Sequence, residues 1–190
     1  MRSKIPSVIA VAHAALAVML IIVPGALAEE TPPEPEGYWQ GPMNGHVPAT
    51  ISGGTVIRTQ MLAELLEREP ATLIDVVSAP RRPEHASSPW RPVPHRNIPR
   101  STWIPGAGAG VISTTMAEFL RTRVSALTAG DQERTIVVYC RANCWASWNA
   151  AKRLITEGYR RVFWYPDGIE GWQEAGLPTT VAEPEGPGVQ

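Results

Sequence analysis

The sequence predicts an α/β domain: a central, mostly parallel sheet of about five strands with helices on both faces. Two observations carry this. The apolar, β-branched runs "TLIDVV" (72–77) and "TIVVYC" (135–140) read as strands buried on both sides. They alternate with stretches whose apolar residues recur at helical spacing, which implies parallel pairing through right-handed crossovers.

The elements follow in order. A short strand near Thr55 to Ile57 leads into a helix that Thr59 is placed to cap, with Leu62, Leu65 and Leu66 on one face and its end before Pro70. "TLIDVV" follows; Asp75 lies inside it, where a buried acid needs a partner, so a structural hydrogen bond to a neighbouring loop is expected. Residues 78–112 are rich in Pro, Arg and Gly, with Trp90 and Trp103, and read as a long irregular crossing. Ser113 or Thr114 caps a second helix whose apolar face is Phe119, Leu120, Val124 and Leu127, with Gly130 at its exit. "TIVVYC" is the second clear strand. A third helix is expected from about Ala146 to Glu157, with Ala150, Ala151, Leu154 and Ile155 inward and Gly158 as its stop. "VFWY" is a further strand; "DGIEGW" reads as turn geometry with a packing Trp172, and the Gly/Pro-rich end as a loose tail.

At the N-terminus Arg2 and Lys4 precede an apolar run from about Val8 to Val23, followed by Ala26, Leu27 and Ala28, the outline of a secretory signal. His13 and a run short of the usual ~20 residues speak against a membrane anchor. The expected organisation is a signal peptide at 1–28, a Pro/Gly-rich linker or lid at 29–48 on which Tyr38 and Trp39 are docking residues, the domain at 49–180, and a flexible tail at 181–190. Export to a periplasm, where thiols can be oxidised, follows from the signal. Removing Arg2 and Lys4 from 17 basic residues leaves 15 against 18 acidic ones, without any block of like charge. That gives no support to a nucleic-acid or membrane-surface binder.

Both cysteines of the chain, Cys140 and Cys144, lie in "YCRANCW". A cysteine at a strand end, a few residues before a helix, has its sulfur among N–H groups that the helix leaves unpaired. Those donors lower a thiol pKa from about 8.5 into the range ~3.5 to 7.5. The residues alone equally allow a buried, inert thiol, and Arg141 either at the sulfur or in solvent. Four residues along a helix-like turn put the Cα atoms ~6 Å apart, inside the ~4.4 to 6.8 Å of a disulfide. A reversible Cys140 to Cys144 bond therefore fits.

Beyond these pieces, "LIDVV", "NIPRSTWIPG", "IVVYC" running into a helix with "AAKRL", and "EGYRRVFWYPDGIEGW" resemble, in order and spacing, the rhodanese-like domain over about residues 50–178. The blocks "YCRANCWASWNAAKR" and "WYPDGIEGWQEAGLP" are similar to the family named for a CXXCW motif and association with PQQ-dependent catabolism. The resemblance implies a three-layer rhodanese-like fold, an exported protein accessory to a quinoprotein dehydrogenase or its cytochrome, and no cofactor of its own. It implies that Cys140 takes sulfane sulfur from a donor such as thiosulfate as a persulfide; Cys144, from the spacing given above, is its expected redox partner. The pocket loop is then Arg141, Ala142, Asn143, Trp145, Ala146 and Ser147. That loop is one residue longer than the family's "CxxGxRS" and lacks its Gly and Arg, so a thiosulfate-binding donor is missing; Arg81, Arg82, Arg91, Arg96 and Arg100 are candidates to replace it. A thiol protein partner is the second reading. A Cu(I) module, using the CxxxC pair with His46, His85 or His95, is the third, although a lone loop histidine is expected to face solvent.

Overall fold

The computed structural model describes residues 31–80, 85 and 93–187. The expected signal segment, Arg81, Arg82, Trp90, Arg91 and the last three residues lie outside them. In chain order the elements are β1 (Thr55–Val56), α1 (Thr59–Arg68), β2 (Thr72–Asp75), β3 (Arg96–Asn97), β4 (Thr102–Trp103), α2 (Thr114–Thr128), β5 (Ile136–Tyr139), α3 (Trp145–Thr156), β6 (Val162–Tyr165), α4 (Gly168–Glu174) and β7 (Thr180–Val181).

Five strands form one parallel sheet in the order β1-β6-β5-β2-β4. Strand alternation divides the core into two layers. On β5, Ile136 and Val138 face α2 and α3 together with Leu120, Val124, Trp148 and Leu154. Val137 and Tyr139 face α1 and α4 together with Leu62, Ile169 and Trp172. Each such side chain, once fully buried, contributes about 1.5 to 3 kcal/mol, which is why the strand runs contain so few polar residues. The three-layer α/β arrangement is the one the sequence predicts.

Four local readings are corrected. Thr59 is the first residue of α1 and Arg58 its N-cap, without a side-chain capping bond; Ser113, by contrast, does cap α2, accepting from Met116 N at 3.1 Å. The crossing read as irregular supplies β3 and the sheet's edge strand β4, both two residues long and too short to show a period. "DGIEGW" is the body of α4 rather than a turn. The tail read as loose is tied down as far as described: β7 pairs antiparallel with β3, and Glu185 receives Arg123 at 2.6 and 2.8 Å. No helix among the described residues is long and apolar enough to cross a membrane.

Candidate functional site

Parallel pairing brings Asp75, Trp103, Tyr139 and Tyr165 to the same, carboxyl edge of the sheet, the edge where α/β sheets place their sites. Cys140 follows Tyr139 at that edge. The chain then turns through residues 141–143, where Asn143 takes a left-handed conformation at φ 51°. Cys144 is extended and forms the N-cap of α3, so the helix starts five residues after Cys140 and the link is not the helical turn expected.

Nearly every backbone group of this loop is held from outside. Ile169 N donates to Cys140 O at 3.0 Å, and Asn143 N donates to Pro166 O at 3.2 Å. Glu170 grips the outer corner, receiving Arg141 Nε at 2.8 Å and Ala142 N at 2.9 Å. Gly168 permits this approach: its φ is 64°, and a Cβ there would stand 2.3 Å from the carbonyl carbon of Arg141. Ser147 Oγ closes the inner side by donating to Cys144 O at 2.9 Å and receiving Trp164 Nε1 at 3.0 Å.

The remaining N–H groups point at sulfur. Cys140 and Cys144 are 3% and 4% exposed, with their Sγ atoms 2.7 Å apart and the Cys140 thiol donating to Cys144. That hydrogen bond is the largest cause lowering the Cys144 thiol to about 7, against its own burial and helped by the N–H groups of Ala146, Arg141 and Ser147. Cys140 moves upward, because it holds the shared proton, is buried, and stands near the charges of Cys144 and Asp75. The sequence expectation that helix donors favour a thiolate therefore holds for the second cysteine: they converge on the N-cap, not on the strand end.

A strap closes the site. Trp39 stacks on Trp145 with centroids 4.3 Å apart and planes 12° from parallel. Its backbone N donates to Asn149 Oδ1 at 2.8 Å and its O accepts from Asn149 Nδ2 at 2.9 Å. Lys152 Nζ donates to the carbonyls of Pro35, Glu36 and Gly37 at 2.8, 3.1 and 3.0 Å. Arg153, buried under the Tyr38 ring, donates to the carbonyls of Ala107, Ala109 and Gly110. Downstream, residues 43–45 cross the cysteine loop, with Gly45 N donating to Asn143 O at 3.0 Å and Trp145 N to Met43 O at 2.8 Å. Tyr38 and Trp39 thus dock as expected, and they hold a cover over the sulfurs.

Asp75 is fully buried; its Oδ1 receives Val77 N at 2.8 Å and its Oδ2 lies 2.6 Å from His95 Nε2. His95 is therefore not the solvent-facing loop residue expected: its side chain is 13% exposed and rests against the Trp103 ring at 4.1 Å. His95, Arg96 and Arg141 line an open pocket of about 550 Å³ together with Val77, Val93 and Ile169. Arg96 spends its guanidinium on Thr179, at 2.8 Å to both Oγ1 and O, and Arg141 on Glu170, so neither folds over the sulfurs. Arg100 sits in a turn at φ 69°. Among the described residues no group of three or more His, Cys, Asp or Glu side chains is placed to hold a metal ion.

The fold and site together define a parallel-sheet α/β domain whose central strand ends in a cysteine loop at a helix N-terminus. The rhodanese-like domain family matches residues 59–175, and the chain belongs to it. Among solved structures it is similar to a thiosulfate sulfurtransferase from Pseudomonas aeruginosa, at 21% identity over 70% of this chain with a TM-score of 0.45. It is also similar to the polysulfide-sulfur transferase homodimer of Wolinella succinogenes, at 20% identity, covering 73% of this chain and 85% of that one, TM-score 0.42. The third is the 3-mercaptopyruvate sulfotransferase SseA of Escherichia coli, at 21% identity over 70% of this chain, TM-score 0.48. The chain spans 21% of the length of the Pseudomonas protein and 53% of that of the Escherichia protein. No curated protein matches it.

Proposed function

We propose that this chain is an exported rhodanese-like protein that accepts sulfane sulfur on the Cys140 and Cys144 pair and releases it by closing the pair into a disulfide. One observation supports it above all: two buried sulfurs 2.7 Å apart, one of them at a helix N-cap with three N–H donors. Family position favours Cys140 as the acceptor, as the sequence expects. The charge distribution favours Cys144, and we assign it the first attack.

The Cys144 thiolate attacks the outer sulfur of a donor such as thiosulfate. The donor's S–S bond breaks, sulfite leaves with the electron pair, and a persulfide forms on Cys144. Cys140, its proton passed on, attacks the Cys144 sulfur; the persulfide bond breaks, hydrosulfide leaves, and a Cys140 to Cys144 disulfide remains. The logic is nucleophilic catalysis by an activated thiolate. A dithiol must then reduce the pair before another cycle. The CXXCW likeness and the apolar N-terminus support a periplasmic setting, with a PQQ-dependent dehydrogenase or its cytochrome as partner.

Mass spectrometry of the protein after thiosulfate or polysulfide tests this. Wild type is expected to lose two hydrogens, and Cys140→Ser to retain one added sulfur on Cys144. Retention on Cys140 in Cys144→Ser, with Cys140→Ser inert, reverses the two roles. No sulfur on any form sinks the reading.

A further inference from the structure

Residues 43–45 lie on the cysteine loop as an extended segment, with Asn44 directly opposite Cys144 in an antiparallel bridge. The two hydrogen bonds, Gly45 N to Asn143 O and Trp145 N to Met43 O, flank that pair rather than join it. Opposed residues of this non-hydrogen-bonded kind have Cα atoms about 4.5 Å apart, within the ~4.4 to 6.8 Å a disulfide spans. Asn44 is exposed, so its side chain gives the core nothing. Main-chain pairing is indifferent to side chains, and any extended segment can make the same two bonds.

The segment is also built to part from the loop. Its feet are fixed: Trp39 by Trp145 and Asn149 upstream, buried Val47 and Ile51 downstream. Between them Met43 packs in part against the core, while Gln40, Gly41, Pro42 and Gly45 are exposed, and Gly45 at φ 140° lies where glycine is favoured. A span with little apolar burial of its own opens at a lower free energy than the whole domain.

We propose that the backbone edge at residues 143–145 is a docking track for an extended segment of a disulfide-bearing protein partner, that residues 43–45 are its resident occupant, and that a partner cysteine takes the place of Asn44 to form a mixed disulfide with Cys144. This rests on the thiol chemistry of the pair argued above. The Cys144 thiolate attacks one sulfur of the partner's disulfide; that bond breaks, and the partner's other cysteine leaves as a thiolate and takes the Cys140 proton. Cys140 then attacks the Cys144 sulfur, the mixed disulfide breaks, and the partner's docked cysteine leaves as a thiolate. The partner's disulfide is reduced by two electrons and the Cys140 and Cys144 pair is oxidised by two.

The test uses the full chain carrying Cys140→Ser, in which the mixed disulfide cannot be resolved. Three probes are compared by the thionitrobenzoate they release: the peptide QGPMCGHVP, which is residues 40–48 with cysteine in place of Asn44, activated as its thionitrobenzoate disulfide; a scrambled peptide of the same composition with proline directly after its cysteine, which lacks the N–H that Asn143 O accepts, activated likewise; and the small symmetrical disulfide of thionitrobenzoate. The strap peptide is expected to react about fivefold faster than the scrambled one, the worth of one main-chain hydrogen bond. Trp39→Ala, or Lys152→Met if that variant does not fold, should widen the gap by loosening the resident strap. In the loosened variant the unactivated peptide QGPMNGHVP should restore slow exchange at the Trp145 amide. Equal rates for the two peptides in both backgrounds, with the small disulfide still reacting, overturn the track while leaving the thiol reading intact. Failure of even the small disulfide to react overturns the thiol reading, and the docking proposal with it.

Discussion

The imidazole of His95 faces the buried carboxyl group of Asp75, 2.6 Å from Nε2 to Oδ2, and together with Val77 N–H and the Tyr139 hydroxyl it supports that group inside the sheet edge. Burial is the largest influence on Asp75 and raises its pKa; the His95 bond opposes it. An acid raised on folding keeps its proton longer in the folded chain. Its contribution is therefore most favourable below the unfolded value of about 3.9 and declines as pH rises past it. Removing His95 raises Asp75 further. His95→Ala should thus cost more stability near pH 7 than near pH 4, because an ionised buried carboxyl group needs the lost bond more than a protonated one does. Urea unfolding of variant and wild type at both pH values checks the sign; a loss independent of pH would contradict it.

The thiol pair makes a second prediction. Cys144 is held at about 7, first by the Cys140 thiol. Thiolate ultraviolet absorbance should therefore show one step near pH 7, absent in Cys144→Ser and moved upward in Cys140→Ser. Between pH 7 and the ~8.5 of an unfolded cysteine, the unfolded chain binds a proton that the folded chain has shed. Stability should rise across that window and fall away as pH drops through 7, and Cys144→Ser should flatten the rise.

The third concerns the strap. Lys152 holds three consecutive carbonyls and lies 4.7 Å from the Trp148 ring. Lys152→Met keeps the aliphatic stem and removes the donors, whose acceptors then turn to water. A net loss of about 1 kcal/mol is expected, concentrated in residues 35–45. Hydrogen exchange at the Trp145 amide should quicken several-fold while the amides of β5 stay unchanged. Uniform acceleration throughout the chain would instead mean that the strap is an integral part of the global fold.

What the sequence made legible was whatever a period or a run can carry. β2, β5 and β6 are apolar enough to be read as buried strands, and the cysteine loop is placed by the strand before it and the helix after it. β3, β4 and β7 have two residues each, so no pattern could mark them. A lid docked through Tyr38 and Trp39 was legible, but its crossing of the cysteine loop at residues 43–45 was hidden because main-chain bonds make it. One signal was available: α3 carries Ser147, Asn149 and Arg153 on a helix with little polar face to spare, and all three are buried. Buried polar groups need partners, and for Asn149 and Arg153 those partners are the strap and the turn at 107–110. His95 carried no signal at all, since its meeting with Asp75 depends on β3 and β4 folding the crossing back across the sheet edge.

Gly168 and Gly176 separate backbone freedom from close approach. Both take left-handed conformations, at φ 64° and 69°, but a Cβ at Gly176 would meet open space while one at Gly168 would stand 2.3 Å from Arg141 C and 2.5 Å from Ala142 N. Gly176→Ala should therefore cost only the left-handed penalty, about 1 to 2 kcal/mol, and leave the thiols alone. Gly168→Ala adds an overlap worth about 1 to 3 kcal/mol and relieves it by pushing the cysteine loop away from α4. That shift draws the Arg141 N–H off the sulfurs and slackens the Glu170 grip. The Cys144 step should then move up from about 7 toward an ordinary thiol, a change that thiolate absorbance reads directly. If both variants lose the same stability and both keep the step near 7, the contact between α4 and the loop plays no part in setting the charge of the pair.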